Sequence, residues 1–320
     1  MANQKRIIAL CIASTVIFAL QHPLSKPFVD QIGTNWVGRS KAAVVYSAIT
    51  LIAILTTALF FKDSWRQYTF LLKNTFKYKV VIGSAFLSSI SALFYIFGQG
   101  SFKPSTLALI LNTPISAIFI TYIHQERPIP LLTMLATAST FCCVGVALWF
   151  ESGIKAQDFF IELCLASIML IVPVTYILGF TLRKKYISNF DAHAGVMATA
   201  TLSSLITTTI VTLILVGSGE SFAIPIIPSH SWVMFSVGTV VLILFGSTSY
   251  QAAISGGASP AYISLYHTMI PILTAGFGWL VFQLGYSEFQ ASPGQIIAIL
   301  AAFPFIAYVI YKTYDASTSK

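Results

Sequence analysis

Charge is the scarcest thing in this sequence. Asp, Glu, Lys and Arg together make up 9% of its 320 residues, where a soluble domain carries about 25%. Hydrophobic residues reach 56%, and the mean hydropathy is +0.82. A water-soluble fold of this length cannot cover so much apolar side chain. The composition specifies an all-α integral membrane protein.

Several functions are excluded by where the few polar groups stand. The ten acidic residues are Asp30, Asp63, Glu126, Glu151, Asp158, Glu162, Asp191, Glu220, Glu288 and Asp315, and all fall at the ends of apolar runs or between them. A mid-membrane carboxylate that trades protons for a hydrophobic cation is thus missing, which weighs against multidrug-cation efflux. The net charge of +8 does not describe a nucleic-acid groove, because Lys and Arg lie in the gaps between runs instead of clustering on polar surface. No HExxH, GxSxG or Cys/His cluster occurs, and no carboxylate shares the depth of the intramembrane histidines, so an enzyme is not expected. Cys11, Cys142, Cys143 and Cys164 sit inside apolar runs without metal or redox spacing and read as small buried side chains. Neither a metal nor a cofactor is expected. A channel would show a charged ring or pore-lining repeat, and a sensor would carry a soluble output domain that the short connections here leave no room for.

What is present is a series of apolar runs. A span needs about 20 residues at 1.5 Å each, and ten stretches qualify: 7–30, 39–61, 80–98, 104–124, 129–150, 159–182, 192–216, 231–250, 258–283 and 293–312. The opening "MANQKR" with the run behind it resembles a signal peptide. No small-residue cleavage site follows, and Pro23 and Lys26 stand where one would be, so an uncleaved first helix is expected. With the N-terminus inside, 13 of the 18 Lys and Arg fall in inside segments and 5 in outside ones, which places both termini in the cytoplasm. Short loops and the absence of organelle signals suggest a bacterial inner membrane.

The prolines disclose an internal repeat. Pro23 and Pro173, Pro104 and Pro260, Pro114 and Pro271, and Pro130 and Pro293 are separated by 150, 156, 157 and 163 residues, and Gln99 and Gln251 join the series at 152. Two units result, residues 1–152 and 153–320, each with five spans. An odd number of crossings reverses the direction of entry, so the second unit is inverted relative to the first. Inverted repeats are a transporter architecture, with the substrate held near the midplane between the halves.

Two segments carry a resemblance to a known family. "STLALILNTPISAIFITYIHQERPIPLLTMLATASTFCCVGVAL" resembles the fourth and fifth helices of the EamA-type drug/metabolite transporter superfamily, with Pro114, Glu126 and Gly145 at matching positions. "ASPAYISLYHTMIPILTAGFGWLVFQLGYSEFQASPGQIIAIL" resembles the same pair in the second repeat through Pro271, Glu288 and Gly294. Arg39 resembles the Arg that opens the second helix in relatives. The turn "QLGYSE" and the basic link 62–79 are longer than is usual there. The resemblance implies ten helices, two inverted repeats, and a central cavity walled mainly by helices one, three, four, six, eight and nine.

Polar groups within the membrane usually face a bundle interior or water. The stretch "QHPLSKPFVD" at 21–30 follows directly on an apolar helix. From the helix rise, Gln21 and His22 lie about 22 Å in, with Ser25 one turn further. The stretch reads as the outer half of a helix broken at Pro23; the rival reading ends the helix at Leu20 and makes the rest a loop. The ninth run adds Tyr262, Tyr266 and His267, the last about 14 Å from the inside. Asn112 beside Pro114, Tyr95, and Tyr176 near Pro173 complete the candidate substrate site, with Pro23, Pro114, Pro173 and Pro271 as helix breaks. Ser88, Ser91 and Thr113 serve equally well as backbone-bonded or close-packing residues, and Tyr250 as an interface anchor. Imidazole titrates near neutrality, so His22 and His267 are the groups available for proton coupling. Lys26 and Arg39 would favour a carboxylate at the outer mouth.

The expected function is secondary transport of a small amphiphilic or zwitterionic metabolite, such as an amino acid, by alternating access. A multidrug or lipophilic-cation carrier is the alternative. The expected partners are that small-molecule substrate and the lipid bilayer, without nucleic acid; the sequence does not specify whether a homodimer forms.

Overall fold

The computed structural model describes residues 2–33, 35–60, 62–119, 122, 128–151, 156–187, 189–286 and 290–318. Every regular element among them is helical: α1 (Ala2–Ile32), α2 (Trp36–Phe60), α3 (Lys62–Lys73), α4 (Lys79–Ser101), α5 (Pro104–Leu111), α6 (Ile115–Ile118), α7 (Leu131–Glu151), α8 (Ala156–Met169), α9 (Ile171–Ile187), α10 (Ala192–Gly217), α11 (Ser229–Val241), a π-turn (Leu242–Gly246), α12 (Ser247–Ser255), α13 (Pro260–His267), α14 (Ile270–Gln283) and α15 (Pro293–Thr318).

Nine stretches among the described residues are helical, long and apolar enough to cross a membrane. The expected run over 104–124 is not one of them. Its helix α5 stops after eight residues, and residues 120, 121 and 123–127, with Glu126, lie outside the described part. Glu288 lies outside it as well. The burial is arranged for lipid. Leu131, Leu132, Leu213, Ile297 and Leu300 are exposed on the outside, while Ser14, Thr50, Ser89, Gln99 and Thr140 are buried within. Many inner hydroxyls bond back to their own helix, as Thr15 does to Cys11 O at 2.7 Å and Thr140 to Ala136 O at 3.0 Å.

The helices pack in pairs. α7 lies on α15, α4 on α9, and α2 on α10; α1 lies on α11 and α12, and α14 on both α1 and α5. At one end Gln295 donates to Thr106 Oγ1 at 3.0 Å and to Glu151 Oε2 at 3.1 Å, and the Lys103 amide opening α5 donates to Glu151 Oε1. One carboxylate thus joins α7, α15 and the positive end of α5. The long basic link holds an unexpected element. α3 is amphipathic, with Asp63 in its first turn and Lys73 in its last, and it buries Tyr68 and Leu71 against α10.

Pro23 does not break its helix, contrary to the sequence expectation. α1 runs unbroken from Ala2 to Ile32 with Pro23 and Pro27 inside it, which also removes the loop reading of 21–30. Proline has no N–H to give the carbonyl four residues back, here that of Ala19. Thr274 of α14 supplies the missing donor, its Oγ1 lying 3.1 Å from Ala19 O. A neighbouring helix satisfies the freed group, so the backbone need not unwind. We expect Thr274→Val to lower stability by about 1–3 kcal/mol, the cost of a buried carbonyl left unpaired. Melting in detergent should show the loss, and Thr140→Val, which deletes only a bond within its own helix, should show much less.

The other three prolines do sit at interruptions. α5 ends before Asn112–Pro114, α8 gives way to α9 at Leu170 with Pro173 in the new first turn, and α13 ends before Pro271 opens α14. Side chains cover the exposed carbonyls. Asn112 Nδ2 donates to Ala108 O at 2.7 Å, Thr113 Oγ1 to Ile110 O at 2.9 Å, and Thr268 Oγ1 to Leu265 O at 2.7 Å.

Candidate functional site

The interruptions, the π-turn and the inner faces of α1, α2, α4, α9 and α10 surround a cavity of about 220 Å³. That is below the roughly 300–1,000 Å³ of sites for drug-sized ligands. Six of the residues expected from sequence line it: Gln21, His22, Tyr95, Asn112, Tyr176 and His267. Ser88, Ser91, Thr113 and Tyr250, for which structural roles served equally well, line it too. A π-turn in the wall is a familiar functional device, and here it brings Leu242, Ile243 and Ser247 to the cavity.

Five expected residues stand elsewhere. Ser25 is buried in α1 outside the lining. Tyr262 and Tyr266 turn to each other, hydroxyl to hydroxyl at 3.1 Å, and pack on the cluster containing Phe180, Tyr250 and Ile263. Lys26 is 5% exposed and forms an ion pair with Asp30 one turn on, at 2.7 Å. Arg39 Nη1 donates to Ser101 Oγ at 2.8 Å and Nη2 to Gly100 O at 3.1 Å, tying α2 to the end of α4. The Arg39 bonds hold two helices together, while the Lys26 pair lies within α1.

The two histidines are oriented by different second partners. His22 Nδ1 faces Gln99 Nε2 at 3.3 Å and Tyr95 Oη at 3.4 Å, while Gln99 Nε2 donates to Tyr95 Oη at 2.6 Å. With that amide orientation Nδ1 accepts and the ring proton sits on Nε2, which faces the cavity. Ser14 uses its proton on Cys11 O at 2.9 Å and therefore accepts from His267 Nε2 at 3.2 Å. His267 then offers the cavity its Nδ1 as an acceptor. One imidazole donates and the other accepts, which suits a solute bearing both kinds of polar group.

Aromatic rings make the rest of the wall. The Phe18 ring meets those of His267 at 5.3 Å and Tyr176 at 5.9 Å, both edge-on, and Tyr250 lies 4.5 Å from Phe180. Edge-to-face contacts at these spacings are favourable and leave ring faces for a ligand.

Arg183 lies just past the expected run 159–182 and counts there only as an inside charge, not as a site residue. It is 3% exposed and lines the cavity. A usable signal was present: Tyr176, Phe180 and Arg183 are spaced i, i+4 and i+7, on one helical face. Tyr46, Thr50 and the α10 hydroxyls of Thr199, Ser203 and Ser204 were also missed, because hydroxyl-bearing residues in apolar runs serve equally well as backbone-bonded, close-packing or interface groups. The described lining contains no Asp or Glu. Among the described residues no group of three or more His, Cys, Asp or Glu comes together.

No protein-family model matches the chain, and no curated protein matches it either. Nine chains of solved structures do. One, described only as "Crystal structure of protein", superposes with a TM-score of 0.56 at 12% identity, covering 96% of this chain and 96% of that one. The likeness extends over almost the whole chain and concerns the fold alone.

Proposed function

We propose that this protein is a secondary transporter of a small amphiphilic metabolite, working by alternating access between two inverted halves, residues 1–152 and 153–320. The observation that carries this reading is the cavity itself. Helices of both halves enclose it, and the interruptions at 112–114, 170 and 268–269 stand in or beside its wall. The packing supports the two-half reading. Exchanging each span with its counterpart five further on turns the α4–α9 pair into the α1–α11/α12 pair, and leaves α2–α10, α5–α14 and α7–α15 as self-exchanging pairs. α5 and α13 are both eight-residue helices opened by Pro, as an EamA-like duplication would leave them. Cavity-lining groups held on rigid helices would follow the rocking of the halves around a fixed site.

A bacterial inner membrane with both termini inside belongs to this proposal and rests on the Lys/Arg distribution. A lipophilic-cation carrier has less support, since the described lining offers no carboxylate. The test is uptake into proteoliposomes of labelled amino acids, nucleosides, S-adenosylmethionine, small organic acids and one lipophilic cation, with and without a pH gradient. We expect saturable uptake of one class, lost in His267→Ala. If nothing moves while the folded protein still binds a member of the panel, the transporter reading fails and a membrane receptor replaces it.

A further inference from the structure

Among the described residues, Arg183 is the single formally charged side chain in the cavity lining. Two contacts hold it. Its Nε donates to Gln251 Oε1 at 3.1 Å, and its guanidinium carbon lies 3.9 Å from the Phe180 ring centroid. One edge and one face are thereby used. The two terminal nitrogens bond to no described group, yet they are not sealed off, so their donors open on the cavity. No described carboxylate pairs with this cation. A buried charge without a counter-charge is costly to keep.

The open guanidinium edge matches an acceptor with two oxygens and one negative charge. Arg is suited to such planar, bidentate recognition. A phosphate dianion would call for a second cation, and the described lining has none.

We propose that the cavity receives the carboxylate of a small organic acid, with Arg183 as its receptor. The Phe18, Tyr176 and Phe180 rings lie against the acid's apolar body. The cavity volume of about 220 Å³ limits that body to one small ring or a short chain, given about 30 Å³ for each water displaced. The inference deepens the transporter reading and rests on it for the claim that the bound acid is cargo.

The test uses the purified full chain in lipid nanodiscs and three probes that share one body: phenylacetate, phenylacetamide and phenethylammonium. Phenylacetate is expected to bind about tenfold or more tightly than the amide, the scale of a charge-assisted bidentate contact. Arg183→Gln should abolish that preference, so that acid and amide bind with similar affinity, and Arg183→Lys should restore only part of it. Because the empty site holds an uncompensated cation, Arg183→Gln should melt no lower than the parent; a merely structural arginine would give the opposite shift. Should that variant fail to fold, Gln251→Leu keeps the charge but frees its tether, and should weaken phenylacetate several-fold. Tightest binding by phenethylammonium, or an acid preference that survives both substitutions, overturns the assignment. Counterflow in proteoliposomes separates the two readings. Phenylacetate bound but never exchanged refutes the transporter and leaves the receptor site standing. Exchange of a neutral solute that Arg183→Gln does not alter refutes the anion site and leaves the transporter standing.

Discussion

A protein carrying both His22→Ala and His267→Ala is expected to lose uptake driven by a pH gradient. One proton moved per solute across one pH unit supplies 1.36 kcal/mol, enough for about tenfold accumulation. With neither imidazole present, the accumulation ratio should fall to about one. The geometry gives each ring its own part. Gln99 and Tyr95 fix Nδ1 of His22, and Ser14 fixes Nε2 of His267, so each ring presents one nitrogen to the cavity and holds the other in the protein. A proton taken up from the cavity would convert the His267 acceptor into a donor and alter what the site can bind. Paired variants separate binding from coupling. His22→Asn with His267→Gln keeps polar groups of similar reach but no titratable ring, so equilibrium exchange should persist while concentrative uptake disappears. A double-alanine protein that still concentrates substrate under a pH gradient would remove proton coupling through these residues.

Gly38→Ala is expected to be the most damaging single change among the helix junctions. A Cβ at that position would lie 2.6 Å from Gly33 Cα and 2.7 Å from Gly33 C, and closer still to its carbonyl oxygen. All three atoms are backbone, so no side chain can swing aside. Gly33 has a φ of +129°, a conformation side chains rarely adopt, and the turn it makes is what brings α1 and α2 so close. The Asn35 side chain fastens the turn by accepting from the Gly38 amide at 2.8 Å. Pushing the junction apart should cost about 1–3 kcal/mol as overpacking of a tight contact, visible as a lower melting temperature in detergent. Gly83→Ala and Gly145→Ala supply the contrast. Neither added Cβ meets any atom within 4 Å, and in a helix the exchange is worth roughly 0.5–1 kcal/mol in the stabilising direction. If all three variants melt alike, the close approach of α1 and α2 is not under the constraint described.

The residues differ in how readily they could be read. His22, His267 and Asn112 were legible because a polar group at mid-run must face the bundle interior, and depth follows from counting residues. Tyr262 and Tyr266 share that depth argument but turn to each other; pairing between neighbours on one helix removes a residue from a cavity without changing its place in the sequence. Lys26 and Arg39 had the right depth for a mouth, yet Asp30 and the end of α4 claim them. Arg183 was hidden by company. It heads the basic run 183–185, and charge counting assigns such a run to the membrane surface, while the helical phase from Tyr176 turns its first member inward.

Composition and hydropathy determined the solvent, and with it the helical class, because in lipid each segment must satisfy its own backbone. Run lengths gave most of the spans, and proline spacing gave the repeat hypothesis. Whether a proline breaks a helix was decided elsewhere. Pro23 leaves α1 intact because Thr274, 251 positions along the chain, donates to the carbonyl it frees, and no local pattern encodes that donor. The direction each polar side chain takes, and therefore the charge of the cavity, was decided the same way. A group's depth is written in its own helix; its partner comes from another.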